Sequence, residues 1–368
     1  MLVGFRVDLV RGGIIAVDVV LAMFGWWLGS AVRGDTGLGG RVVRAWQAWW
    51  PPALGAVGLA CGWVLINGST RRDALVRGQA LAAFGGYGNW HLLALGPREA
   101  GGSSLATPLQ HLWLVSVAIQ LLGVFALAWF LTRPRARRRP DARDPLVLVF
   151  VGLWLISLIV VAAQMVAHAE GQTLLLSTWS RSGAFCLGAA FGALRAGGLA
   201  DTIRAIAVGT RWIAVALLVV LAVAASPGSS WWRLGGAAGV PVLAVIVVAS
   251  FVPWPPGRRS HALAPVVDPW AVLVGFWVLH VPLLAFMGQT SLPEVVADVA
   301  GLVAAAAVAV AIVWLVQLLP ADEESLQWRT VLIPPLVVLT VVVLFSVTGA
   351  FHWFSPHRLD GAVGAAPR

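Results

Sequence analysis

The sequence predicts an all-α, polytopic transmembrane bundle of about ten spans, and three observations lead there. Hydrophobic residues make up 59% of the 368 and charged residues only 11%. A soluble domain carries about 25% charged residues, so this chain cannot cover a water-facing surface. Mean hydropathy is +0.86, and apolar runs near the roughly 20 residues that cross a bilayer recur between Arg, Pro and Gly punctuation.

In order, the first run is 13–31. Arg6 and Arg11 precede it, but Trp26 and Trp27 stand where a signal peptidase would need small residues, so it reads as a retained span. The second run is 51–67. The stretch 78–95 breaks the pattern: Gly85, Gly86 and Gly88 precede Asn89, Trp90 and His91. It reads as an interfacial or re-entrant piece of an extracytoplasmic segment, 78–108, tolerated at membrane depth only if packed on protein. Spans 109–132 and 146–168 follow, separated by the charged linker Ala136–Asp144, too short to fold. The remaining spans are 182–198, 211–226, 235–252, 269–287, 298–319 and 330–349. Residues 1–350 thus form one membrane domain, and 351–368 a short extracytoplasmic tail. No internal repeat and no soluble domain is evident.

Charge sets the orientation. All 25 basic residues are Arg, and the net charge is +9. They sit in short runs between apolar segments, as the positive-inside rule expects of cytoplasmic loops, which argues against nucleic acid as a partner. Placing the cluster Arg133, Arg135, Arg137, Arg138, Arg139 and Arg143 in the cytoplasm puts 32–50, 199–210, 253–268 and 320–329 there too. With the span-end residues Arg195 and Arg211, that side then holds 15 Arg against 10, and both termini lie outside. Cys61 and Cys186 each fall in an apolar stretch and show no metal-ligand spacing; they read as small hydrophobes.

Polar groups at membrane depth are costly and are therefore candidates for function. Trp113, Ser116 and Gln120 share a face of the third span, with His111 at its start. They form either an interfacial belt or a polar stripe facing a substrate. Arg181 opens the fifth span, where it either binds an anionic group or snorkels to anchor the helix. Gly183, Gly188 and Gly192 behind it permit close helix packing. His280 lies deep in the eighth span beside the kinking Pro282; it either handles protons or bonds to a neighbouring helix. His168, His261, His352 and His357 fall at span ends or in loops and read as solvated or interfacial.

These segments, in this order, resemble acyltransferase family 3, the membrane-bound O-acyltransferases. Asn89-Trp90, then Pro108-Leu109-Gln110-His111-Leu112-Trp113 and Gln120, are similar to its Asn-Trp and Pro-Leu-X-His-Thr-Trp stretch. Arg71-Arg72-Asp73-Ala74-Leu75 matches the lead-in. Arg181 and Gly188 match a Thr-Arg-Ala…Leu-Gly-Ala pattern, and His280 with Pro282 a Leu-Trp-His-Trp-Pro signature. Ala16-Val17-Asp18-Val19, Gly25, Thr36-Gly37 and Pro52-Ala53-Leu54 fall in step near the N-terminus, while the family's Arg-rich cluster before Pro-Ala-Leu becomes Ala45-Trp46-Gln47-Ala48-Trp49, with Arg41 and Arg44 nearby.

The resemblance implies an acyl group moved from a cytoplasmic acyl-CoA to a hydroxyl of an extracytoplasmic glycan or lipid, with no tightly bound cofactor and no metal. It implies a histidine as base on the hydroxyl, in roles here open to His111 and His280. Asn89, Trp90, Trp113, Ser116, Gln120 and Arg181 would contact substrate, and Asp18, Gly25, Arg44, Gly188 and Pro282 would be motif positions. The chain also departs from the pattern. The family's first helix, with its Arg and catalytic His, should precede Val17-Asp18; sixteen residues stand there, and no His precedes His91. Phe24 replaces a Ser, and Ala118-Ile119 a Glu pair. The resemblance therefore describes a divergent member, and an active enzyme implies either a further helix with an Arg and a His ahead of Met1 or His111 in the place of that His.

Three functions compete on this reading. One is the O-acyltransferase. The second is a catalytically inactive relative serving as a protein partner or scaffold in envelope assembly. The third, a lipid or acyl-carrier transporter, would need intramembrane charge or broken helices in paired repeats, and neither is read. The Arg-only, Ala/Gly/Val-rich usage suggests a GC-rich bacterial genome, hence a bacterial plasma membrane.

Overall fold

The structure is a computed structural model that describes residues 15–32, 37–67, 70–95, 108–138, 145–167, 171–194, 198–224, 236–251, 269–287, 290 and 293–318. Among these residues the fold is helical, without strands. The helices are α1 (Ile15–Ala31), α2 (Gly37–Asn67), α3 (Thr70–Phe84), α4 (Gly88–Leu95), α5 (Trp113–Arg138), α6 (Pro145–Val166), α7 (Gly171–Leu176), α8 (Thr178–Ala193), α9 (Leu199–Ala224), α10 (Ala237–Phe251), α11 (Pro269–Met287) and α12 (Glu294–Leu318). A 3₁₀ turn, Gln110–Leu112, leads into α5. Four stretches are long and apolar enough to cross a membrane: Trp49–Ile66, Gln110–Thr132, Pro145–Val166 and Leu199–Val223. Parts of α1, α10, α11 and α12 are apolar but shorter. The predicted span 330–349, the tail 351–368, and His168, His261, His352 and His357 lie outside the described residues.

Helix extends beyond the predicted spans. Residues 199–210, expected as a loop, form the first turns of α9. Asp201 in the first turn complements the helix dipole, and the hydroxyls of Thr202 and Thr210 donate to the carbonyls of Gly198 and Ile206 four residues back. Likewise α2 begins at Gly37, well before its apolar stretch, and α5 runs on to Arg138.

The chain divides into two units. The first holds α1, the 82–95 turn region and α5 to α10. Its centre is a parallel pair, α1 against α8, in which glycine is required. A Cβ on Gly25 would lie 2.1 Å from the Phe185 carbonyl oxygen, and one on Gly188 2.0 Å from that of Ala22. Gly29 and Gly192 repeat the contact one turn on. Two Gly-xxx-Gly stripes thus bring the backbones together, the usual means of gaining dispersion contact where lipid removes the hydrophobic drive. Phe24, Phe125, Phe150 and Phe185 stack around this seam.

Contact order fixes helix direction in this unit. Phe125 meets Phe185 while Gln120 meets Thr178, so α5 runs with α8. Ser157 meets Trp179 and Phe150 meets Phe185, so α6 runs against it. Trp212 meets Phe251 while Leu218 clusters with Val240, so α9 and α10 are antiparallel. That cluster joins Ile15, Val161, Leu174, Leu218 and Val240, gathering the starts of α1 and α10 with the later turns of α6 and α9 at one end of the unit.

The second unit holds most of α2 and α3, residues 107–111, α11 and α12. Gly275 approaches Ala309 and Gly301 approaches Leu284, so α11 and α12 are antiparallel. Pro52 lies beside Gly275 and Gly55 beside Leu279, so α2 runs with α11.

Candidate functional site

Three polar clusters stand out, two in the first unit and one in the second. The first forms where the turn between α3 and α4 meets the starts of α5 and α8. Gly86 carries φ of +73°, a left-handed conformation that glycine adopts freely. It turns the chain so that the Gly88 amide donates to Ser116 Oγ at 2.9 Å. A Cβ on Gly88 would sit 2.8 Å from that oxygen, which explains the second glycine. Asn89, fully buried, donates through Nδ2 to the Leu176 carbonyl and to Thr178 Oγ1 at 3.0 and 2.9 Å. The Thr178 hydroxyl donates in turn to Gln120 Oε1. Gln120 Nε2 closes the ring by donating to Asn89 Oδ1 at 2.9 Å and also bonds the Gly86 carbonyl at 2.6 Å. Asn89, Gln120 and Thr178 therefore complete a cycle of three side-chain hydrogen bonds. Such a closed network strengthens its members and fixes one geometry.

The second cluster is a buried ion pair. Arg181 Nη1 donates to Asp18 Oδ2 at 2.8 Å, and each side chain is 2% exposed. The pair lies two helical turns before the Gly25–Gly188 contact on both helices, so the same parallel register serves both. Arg181 does not snorkel outward; its charge is neutralised within the unit, as a buried charge requires. Around it the α7–α8 junction satisfies its own carbonyls: Ser180 Oγ donates to Leu174 O and Ser182 Oγ to Trp179 O.

The third cluster, in the second unit, brings together the two candidate histidines. His111 and His280 stand edge to face with ring centroids 5.4 Å apart. His111 also meets the Trp277 ring edge-on at 5.3 Å, and Phe276 stacks on His280. His111 Nε2 lies 2.9 Å from the Val278 carbonyl oxygen, and His280 Nδ1 2.6 Å from that of Trp277. A carbonyl only accepts, so each of these nitrogens carries a proton. In the neutral rings the opposite nitrogens, His111 Nδ1 and His280 Nε2, are then the acceptors. His280 is 4% exposed, and such a ring can take a proton from a donor brought against it.

The sequence-predicted residues therefore fall into separate groups. Asn89, Ser116 and Gln120 converge on one turn, Asp18 joins Arg181, and His111 joins His280. Gly25 and Gly188 seat the α1–α8 seam, and Pro282 is buried within α11. Trp90 is 44% exposed and outside the ring of hydrogen bonds; Trp113 is half-buried at the start of α5. Arg44 lies on the helical backbone of α2, its side chain outside the described residues. Sequence reasoning missed Thr178 and Trp277. Thr178 is a small hydroxyl at a helix start, where capping explains it without a partner. Trp277 had a weak signal, one helical turn before His280. No family model matches the chain, and no curated protein or solved structure is significantly similar to it.

Proposed function

We propose that the chain is a multi-pass membrane protein of the acyltransferase-3 type, moving an acyl group from a cytoplasmic acyl-CoA to a hydroxyl of an extracytoplasmic glycan or lipid. The observation that carries this reading is the His111–His280 pair, in which backbone carbonyls set the tautomers and each neutral ring keeps one acceptor nitrogen. His280 is the candidate base on the acceptor hydroxyl: it takes the hydroxyl proton as the oxygen attacks the thioester carbonyl, and the CoA thiolate leaves. The topology is about ten crossings of a bacterial plasma membrane. Supporting it, helices within each unit alternate in direction as successive crossings would.

A second reading, a scaffold for envelope assembly that engages a protein partner, is favoured by the first unit. There the members of the Asn89–Gln120–Thr178 ring bond among themselves, and Asp18 and Arg181 bond to each other. Purified protein in lipid nanodiscs, supplied with acetyl-CoA and a soluble sugar acceptor, separates the two. The enzyme reading expects CoA release and an acetylated sugar, both falling at least about 100-fold in His280→Ala, the usual scale for general-base loss. Equal turnover by wild type and His280→Ala would sink His280 as the base. Absence of turnover with acetyl and longer acyl donors would leave the scaffold reading.

A further inference from the structure

The eighth predicted span contains a proline that costs its helix a hydrogen bond, and the structure shows what answers that cost. α11 runs unbroken from Pro269 to Met287 with Pro282 inside it. In a regular helix the amide of residue 282 would donate to the carbonyl of residue 278. Proline has no N–H, so the Val278 carbonyl loses its helical donor, and the ring pushes against it as well. In an apolar setting an unanswered carbonyl is costly, and proline within such helices is tolerated where other groups satisfy the freed backbone. The group that answers here is on a different segment. His111, in the 3₁₀ turn before α5, places Nε2 2.9 Å from the Val278 oxygen.

We propose that His111 is the surrogate donor for the carbonyl that Pro282 releases, and that this bond positions the His111 ring edge-on against His280. Pro282 and His111 are thus one device. The proline opens an acceptor site on α11 one turn from the Pro282 ring, and the histidine fills it from outside the helix. Because the carbonyl must be met by N–H, the bond also fixes the His111 tautomer and turns Nδ1 away from α11's backbone. The 5.4 Å approach of the two imidazoles follows from that seating, since Val278 lies only two residues before His280. His111 is then a positioning residue and His280 the group it positions. The catalytic consequence rests on the acyl-transfer reading; the hydrogen-bond pairing does not.

A double-mutant cycle on the full-length protein in nanodiscs tests the pairing by thermal unfolding. Pro282→Ala returns an amide to Val278, so His111→Ala should lower Tm by several degrees in the Pro282 background and by less than half as much beside Pro282→Ala. Equal decrements in both backgrounds overturn the proposal. If His111→Ala alone yields no folded protein, adding Pro282→Ala should restore it; failure to do so overturns the proposal too. The positioning role has its own readout in the acetyl-CoA assay. His111→Ala should lower kcat with KM little changed, and His111→Gln, which keeps a side-chain N–H donor, should recover part of the loss. An effect confined to KM overturns positioning. Coupling in Tm with no turnover in any variant would keep the pairing and discard the acyl-transfer reading, whereas turnover with additive Tm decrements would do the reverse.

Discussion

At the scale of single residues, the Asp18–Arg181 pair sets the largest expected effect. Both side chains are 2% exposed and joined by one 2.8 Å hydrogen bond, so removing one partner strands the other's charge. Arg181→Met should destabilise the protein by about 3–5 kcal/mol, read from unfolding in detergent, whereas adding Asp18→Val should recover most of that loss because both desolvation costs vanish together. A single Arg181→Met variant as stable as wild type would show that the charge is met by water instead. His91 gives a pH effect of defined sign. Its Nε2 is buried with no hydrogen-bond partner among the described residues, and burial pulls the ring below its ordinary pKa of 6.5. The folded state thus resists protonation, so this stability is full above pH 6.5 and is lost as pH falls through the lowered value. His91→Phe should flatten that decline in an acid melting series. Neither effect could be read from sequence: Asp18 and Arg181 are 163 residues apart, and nothing in either local pattern names the other.

Helix packing was more legible, because it rests on repeated small residues rather than on one distant partner. Gly188 and Gly192 announce a close approach on their own helix, whereas on α1 Gly25 entered only as a motif position and Gly29 drew no reading. What the sequence withheld was that these two stripes face each other. The structure supplies a contrast for testing it. A Cβ on Gly188 would fall 2.0 Å from a backbone oxygen, while one on Gly58 in α2 meets nothing within 4 Å. Gly188→Ala must push α1 from α8 and should cost at least about 1–3 kcal/mol, the range for overpacking. Gly58→Ala should be neutral or stabilising by up to about 1 kcal/mol, from helix propensity alone. Comparable melting temperatures for the two variants would mean the α1–α8 seam is looser than the structure has it. The turn at 85–88 shows the same division. Its glycines predicted a break, and the break is there. That Gln120 and Ser116 would pin it depended on α5 lying alongside, which periodicity on α5 could suggest but not direct.

The whole molecule tests the charge argument against the helix directions. Hydropathy located the apolar stretches but placed helix ends poorly, because residues such as 199–210 are helical without being apolar throughout. Direction is a better check on topology than length. In the first unit α1, α5 and α8 run one way and α6 and α9 do not, which is the order successive crossings would give if α3, α4 and α7 do not cross. On the proposed topology the positive-inside rule orients that alternation by the Arg cluster from Arg133 to Arg143, and the expectation it sets is a cytoplasmic region between α5 and α6. Single cysteines at Ser103 and Ala169 should react with a membrane-impermeant maleimide in intact cells, and those at Ala142 and Ala196 only after permeabilisation. The native background should be low, since Cys61 and Cys186 are both buried. The inverse pattern would overturn the orientation while keeping the crossings. Labelling of Ser103 and Ala142 from the same side would remove α5 as a crossing, and the Ser116–Gln120 face would then lie outside the bilayer, where its hydrogen bonds would compete with water.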